Sequence, residues 1–220
     1  LRSQTGKDLT AVGEYWTTNL MSLQNYIKET NGVMRLFDVP LHYNFFNASN
    51  SGGNFDMRTI LDNSLVKANP DMAVTFVDNH DTQPGQSLTS FIEDWFKPQA
   101  YACILLREQG YPCIFYGDYY GIPHDYINPK KDLLDYMLKL RKQYVEGIRH
   151  DYIDDPDVIG WTYETGLAVI LTNSKGGTKR MFIGKKYKHM ADGKHTIDII
   201  DGYGEFICDE ASLNLYIVQK

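Results

Sequence analysis

No apolar stretch in the sequence reaches the roughly 18 to 20 residues needed to span a bilayer, and the first twenty residues lack the apolar block of a signal peptide. The second absence carries little weight, because the chain opens on Leu1 rather than on Met. Positive charge is also in short supply. Twenty-two Lys and Arg against 28 Asp and Glu leave a net charge of −6, and no basic run extends beyond Lys130-Lys131 and Lys185-Lys186. That balance argues against nucleic acid as a partner, since binding a phosphate backbone needs a positive face. Cysteine is scarce as well. Cys103, Cys113 and Cys208 are odd in number and widely spaced, so neither a disulfide framework nor a zinc spacing emerges. Cys103 and Cys113 lie in apolar surroundings, where buried inert thiols are the ordinary outcome, and this leans toward a reducing, cytoplasmic compartment over secretion.

What the chain does have is aromatic residues: 16 Tyr, 10 Phe and 3 Trp. They suit a surface that stacks flat sugar faces, although the ordinary role of such side chains is to fill a core. At 220 residues the chain holds one large domain or two smaller ones. Apolar runs start at residues 10, 34, 73 and 111 (Thr10 to Tyr15, Met34 to Val39, Ala73 to Val77, Tyr111 to Tyr116), a mean spacing of about 34, which is the size of a strand-plus-helix unit. Helical patterns lie between and after them, at Leu20 to Ile27, Pro98 to Arg107 and Leu133 to Tyr144. Alternation of this kind predicts a parallel sheet covered by helices. After about Gly147 the texture changes to short strand-like segments, among them Leu167 to Thr172, Arg180 to Ile183 and Leu213 to Val218, separated by glycine turns with no helix between them. Residues 147–220 therefore read as an antiparallel β-domain and residues 1–146 as the α/β part.

Three of the four early strands run into polar clusters: Gly13-Glu14-Tyr15-Trp16, Asp78-Asn79-His80-Asp81-Thr82-Gln83 and Tyr116-Gly117-Asp118-Tyr119. In parallel α/β folds the C-terminal strand ends are where ligands sit, so carboxylates there are candidates for chemistry. Glu14 and Asp81 stand about two units apart, on strands separated by one other. The plainer readings stay open at this point: Glu14 as a cap or ion-pair partner, and Asn79-His80-Asp81 as a turn held by side-chain hydrogen bonds. An apolar strand running straight into His-Asp, however, costs desolvation unless the pair serves a site. Two adjacent side chains are too few to argue for a metal.

The runs AVGEYW, LFDVPLHYNFFNAS, TFVDNHDTQPGQSL, WFKPQAYACILLREQGYPCIFYGDYYG and RHDYIDDPDVIGWT resemble, in order, stretches of the bacterial liquefying enzymes of the α-amylase family of glycoside hydrolases. The resemblance covers essentially the whole chain. It implies the second half of a (β/α)8 barrel over residues 1–146, followed by a C-terminal antiparallel β-sandwich. It also implies endo-hydrolysis of α-1,4 bonds in starch and maltooligosaccharides with retention of configuration. Glu14 matches the family's general acid/base, and Asp81 the carboxylate that orients sugar hydroxyls and stabilises the transition state. His80 resembles the histidine that binds the same ring, and Trp16 an aromatic on the leaving-group side.

The family's nucleophilic Asp belongs to the strand before the acid, and only Asp8 precedes Glu14. Asp8 stands six residues back, roughly 20 Å along an extended chain, and cannot substitute. The expectation is a fragment, inactive by itself. The resemblance further aligns Gly53 and Phe55, through backbone oxygens, with His150, Asp151 and Asn173 as a Ca2+ site joining the two parts, with Asn173 where relatives carry a carboxylate. Two other readings remain beside the hydrolase: a transglycosylase with the same carboxylates, and a non-catalytic glucan-binding protein.

Overall fold

A computed structural model describes residues 11–219. Its first half alternates strands and helices: β1 (Ala11–Gly13), α1 (Leu20–Glu29), β2 (Met34–Phe37), α2 (Val39–Asn50), α3 (Leu65–Ala68), β3 (Ala73–Phe76), α4 (Lys97–Leu105), β4 (Tyr111–Cys113), α5 (Tyr116–Tyr120) and α6 (Lys131–Tyr144). The four strands form one sheet in chain order, every neighbouring pair parallel. The predicted strand starting at residue 10 is described from Ala11 onward; Thr10, like Asp8, lies outside the described residues.

Local chemistry explains where the strands stop. The apolar run from Met34 was expected to stay extended to Val39, but β2 ends at Phe37 because Asp38 caps the helix that begins at Val39. Asp38 Oδ1 accepts from the N–H of Leu41 at 3.2 Å and of Leu65 at 2.9 Å, and Oδ2 accepts from Val66 N–H at 2.7 Å. One buried carboxylate thus satisfies first-turn donors of both α2 and α3. In α1, Asn19 performs the same task, its Oδ1 accepting from Ser22 N–H at 3.1 Å. The run from Tyr111 likewise stops at Cys113, and Tyr116 opens α5 instead of closing a strand. Gly110, with φ of +77°, admits the chain into β4; a Cβ there would meet Thr75 and Val66 at 3.0 Å.

From Arg149 the chain is antiparallel: β5 (Arg149–Tyr152), β6 (Val158–Tyr163), β7 (Leu167–Thr172), β8 (Gly177–Phe182), β9 (His189–Ala191), β10 (Thr196–Asp198), β11 (Tyr203–Cys208) and β12 (Leu213–Val218). Six of these make a sheet in the order β10-β9-β12-β7-β6-β5, and β8 pairs with β11 separately. All positions of β6 and β7 are buried. Alternation explains how: Ile159, Trp161, Tyr163, Leu167, Val169 and Leu171 join the core shared with the helices of the first half, whereas Val158, Ala168 and Ile170 face Met181, Phe206 and Tyr216 on the other side. A strand covered on both faces reads as one continuous apolar run, as Leu167 to Thr172 does. Among the described residues no helix is long and apolar enough to cross a membrane, and the three cysteines are free thiols.

Candidate active site

Each strand of the parallel sheet delivers a carboxylate at or near its C-terminal end. Glu14 follows β1 directly, Asp38 follows β2, Asp78 and Asp81 follow β3, and Asp118 lies beyond β4 in α5. Burial divides them. Asp38, Asp78 and Asp118 are closed off from solvent, while Glu14 is exposed and the Asp81 side chain is one-third exposed. Asp38 is spent on capping, and burial pushes its carboxyl up to about 6 against the pull of its three N–H donors. Among the carboxylates at this edge, Glu14 and Asp81 are the two left facing outward, on strands separated only by β2. At a strand spacing of about 4.8 Å their strand ends lie roughly 10 Å apart.

Asp81 is presented by a tight loop. Asn79 Oδ1 accepts from the N–H groups of Asp81 and Thr82, both at 2.9 Å, and Asn79 N–H donates to Thr82 Oγ1 at 3.0 Å. The turn read from the sequence is therefore present, and it serves to hold Asp81 outward. His80 is largely exposed, with Nε2 3.6 Å from Asp81 Oδ2. Trp16 is half-buried, its ring 5.9 Å from that of His42 and 6.1 Å from that of Phe76. His42 in turn stacks on Phe76, and its Nδ1–H donates to the Val77 carbonyl at 2.6 Å. Burial lowers its pKa to about 4, so the ring is neutral and acts as packing beneath the site. Trp16 thus stands at the junction of the exposed edge and this aromatic floor.

No family model matches the chain. An α-amylase of Geobacillus stearothermophilus is 50% identical over 100% of this chain and 43% of its own length. A glucan 1,4-α-maltohexaosidase of Bacillus sp. (strain 707) is 45% identical over 99% of this chain and 45% of its own. The chain is related to the bacterial α-amylases. It spans less than half the length of these relatives. Among solved structures, a cyclomaltodextrin glucanotransferase with a three-domain ABC distribution superimposes with a TM-score of 0.72 at 18% identity, covering 100% of this chain and 52% of that one, a likeness of fold alone.

The calcium ligands inferred from the α-amylase resemblance do not converge. Gly53, Phe55 and Asn173 do meet: a Cβ on Gly53 would come within 3.2 Å of the Asn173 carbonyl, and Asn173 Nδ2–H donates to the Phe55 carbonyl at 2.8 Å. His150 and Asp151 stand elsewhere. Asp151 pairs in register with Trp161 and through it with Val169, four residues before Asn173. Roughly 13 Å along the strand and 10 Å across the sheet therefore separate Asp151 from Asn173, too far to share an ion. The Asp151 carboxylate is instead bound by Arg107 at 2.8 Å and Arg149 at 3.0 Å, and His150 Nε2 lies 2.8 Å from Glu164 Oε1. That ligand set is corrected accordingly. Of the remaining three, the Phe55 carbonyl is occupied by an amide N–H, and none bears a charge; Asn173 Oδ1 is buried without a hydrogen-bond partner. These residues do not fit a calcium ion, which takes six to eight oxygens with carboxylates among them. The carboxylate that does reach this corner is Asp157, whose Oδ1 accepts from Ser174 Oγ at 3.2 Å. Among the described residues no three His, Cys, Asp or Glu side chains are grouped to hold a metal.

The residues passed over in the sequence are Lys97 and Tyr101, which join Asp78, Thr82 and Asp118 beneath the Asp81 loop. A lysine between Phe96 and Pro98 at the head of an apolar helix was the available signal.

Proposed function

We propose that this chain is the acid-bearing portion of a retaining α-amylase, comprising the second half of a (β/α)8 barrel and a C-terminal β-sandwich. In this reading Glu14 protonates the departing glycosidic oxygen and later deprotonates the attacking water. Asp81, with His80, holds the hydroxyls of the reacting glucose unit, a contact that strengthens as positive charge develops at the anomeric carbon. Trp16 offers an aromatic face on the leaving-group side. The observation that carries the reading is that Glu14 and Asp81 are both solvent-accessible beyond the C-terminal ends of β1 and β3, two places apart in one parallel sheet, in a chain 50% identical to an α-amylase. Four parallel strands in chain order support the barrel assignment, and the separate antiparallel β8–β11 pair packed across β6 and β7 supports the sandwich.

A double displacement needs a nucleophilic carboxylate roughly 5 to 5.5 Å from the acid. Asp38, on the strand beside Glu14, is buried and committed to three backbone donors, so it does not serve. The nucleophile belongs to residues of the whole protein outside those described. The substrate class is α-1,4-glucan, and hydrolysis is favoured over transfer because the relatives of high identity are named as hydrolases, whereas the glucanotransferase matches in fold only. The test is Glu14→Gln in the full-length protein: the amide keeps the shape and loses the transferable proton, so kcat on soluble starch falls about 10³-fold or more while glucan binding persists. A variant retaining over about a tenth of parental kcat would remove Glu14 from the role.

A further inference from the structure

Beneath the Asp81 loop lies a cluster of charged side chains that the proposed chemistry does not use. Lys97, the first residue of α4, is wholly buried, with Nζ 3.0 Å from Asp78 Oδ2, in hydrogen-bond contact with Asp118 Oδ1, and 3.5 Å from the centroid of the Phe91 ring. Asp118 Oδ2 accepts from the Tyr101 hydroxyl at 2.6 Å. Asp78 Oδ2 also lies 3.3 Å from the Ile92 N–H that donates to it, while Asp78 Oδ1 accepts from Thr82 Oγ1 at 2.8 Å. Thr82 closes the turn that displays Asp81, since its Oγ1 accepts from Asn79 N–H and its own N–H donates to the same Asn79 oxygen as Asp81 N–H. An unbroken chain of polar contacts therefore runs from Lys97 through Asp78 and Thr82 to the backbone of Asp81.

Two carboxylates and one ammonium in a dry interior are costly, and an apolar replacement of the same volume commonly costs nothing or stabilises. Stability alone is thus a weak reason for this cluster to exist. Its geometry offers another. It ties the C-terminal ends of β3 and β4, already hydrogen-bonded neighbours in the sheet, to the head of α4, which otherwise packs on the sheet through apolar side chains. Burial raises the Asp78 carboxyl to about 6, against the pull of Lys97, which shows how far its ionised form depends on that ammonium.

We propose that Lys97, acting through Asp78 and Thr82, is a positioning residue for Asp81. It sets the angle at which that carboxylate meets the reacting sugar ring and leaves ground-state glucan binding largely to other contacts. The inference rests on the role given to Asp81 above.

Two readouts in the full-length protein test it. In Lys97→Met, kcat on a maltooligosaccharide is expected to drop at least tenfold with KM changed less than about threefold. The Asp81 and Thr82 amides should exchange with solvent at least tenfold faster, while Leu134 and Met137 in α6 keep their protection. Ile170→Ala, a truncation in the separate core between β6–β7 and the β8–β11 pair, serves as the control and should leave kcat within twofold. Should Lys97→Met not fold, Thr82→Val, close in shape, removes the hydroxyl that joins Asp78 to the Asn79 turn and is expected to move both readouts in the same direction. Parental kcat with parental exchange in the folded variant overturns the proposal, as does a rise in KM alone. A parent without hydrolytic activity sinks the functional reading instead, and the exchange rates still judge the positioning.

Discussion

The indole N–H of Trp161 in β6 donates to the carbonyl of Leu106, 2.7 Å away, just past the end of α4. Its neighbours there are treated alike: Arg141 Nη1 donates to the carbonyls of Leu105 at 2.7 Å and Arg107 at 2.6 Å. The last carbonyls of a buried helix are orphaned unless some side chain reaches them, and here a residue of the antiparallel sheet shares that task with one from α6. Because the same core runs through both halves, they are expected to unfold together. Trp161→Phe strips the donor and leaves a buried carbonyl unpaired, at a cost of about 1–3 kcal/mol. Urea unfolding followed by tryptophan fluorescence and far-UV circular dichroism should show one transition at a lower midpoint. Two separated transitions in the parent would contradict the shared core.

Asp38 makes stability depend on pH in a direction opposite to that of a salt-bridged carboxylate. Its folded value of about 6 lies above the ordinary carboxyl value of 3.8, so the native state binds the proton more tightly than the unfolded chain. The stabilisation is fully present below about 4 and is lost as pH rises through 6. In Asp38→Asn this contribution disappears. Unfolding free energies measured between pH 4 and 6.5 should fall less steeply with pH, by about one proton, than in the parent; an unchanged slope would show that Asp38 does not titrate in this window.

At the junction corner, Asn173→Asp exchanges an amide donor for a carboxylate facing the Phe55 carbonyl. The 2.8 Å hydrogen bond is lost and two acceptors confront each other, for a penalty of about 1–3 kcal/mol. With the Asp157 carboxylate close to Ser174, the variant also gathers the charge that a hard cation prefers. The expected result is a Tm lowered by a few degrees in chelator and partly restored by millimolar Ca2+. A variant as stable as the parent in chelator would show that the Asn173 tie contributes nothing.

Expressed by itself, the chain should release no reducing sugar from starch and should self-associate. Among the described residues β1 pairs only with β2 and β4 only with β3, leaving Val12 and Tyr111 half exposed at open edges. Unpaired parallel edges bearing apolar side chains recruit further strands. Size-exclusion chromatography that returned a monomer, together with starch hydrolysis above a Glu14→Gln control, would contradict this.

Local chemistry was enough to read two strands of the antiparallel sheet to their ends. Leu167 to Thr172 and Leu213 to Val218 occupy the spans their apolar runs indicate, because a strand covered by a second layer has little choice of side chain. Glu14 and Asp81 were conspicuous for a related reason: charge at the end of an apolar strand stands out along the chain. Other features had no local signature. Asp38 has a local task in capping α2, but its second one, capping α3 from 27 residues away, has no signature along the chain. His150 and Asp151 are close to Asn173 in a family pattern, but strand register carries them past it to Arg107, Arg149 and Glu164. Lys97 has a partner only because β3, β4 and α4 converge. Periodicity and capping are properties of neighbours in sequence, and they were settled residue by residue. Which carboxylates face solvent, which are consumed as caps or buried partners, and which ammonium neutralises them depend on distances between segments far apart in the chain, and those are decided only when the sheet and its helices close on one another.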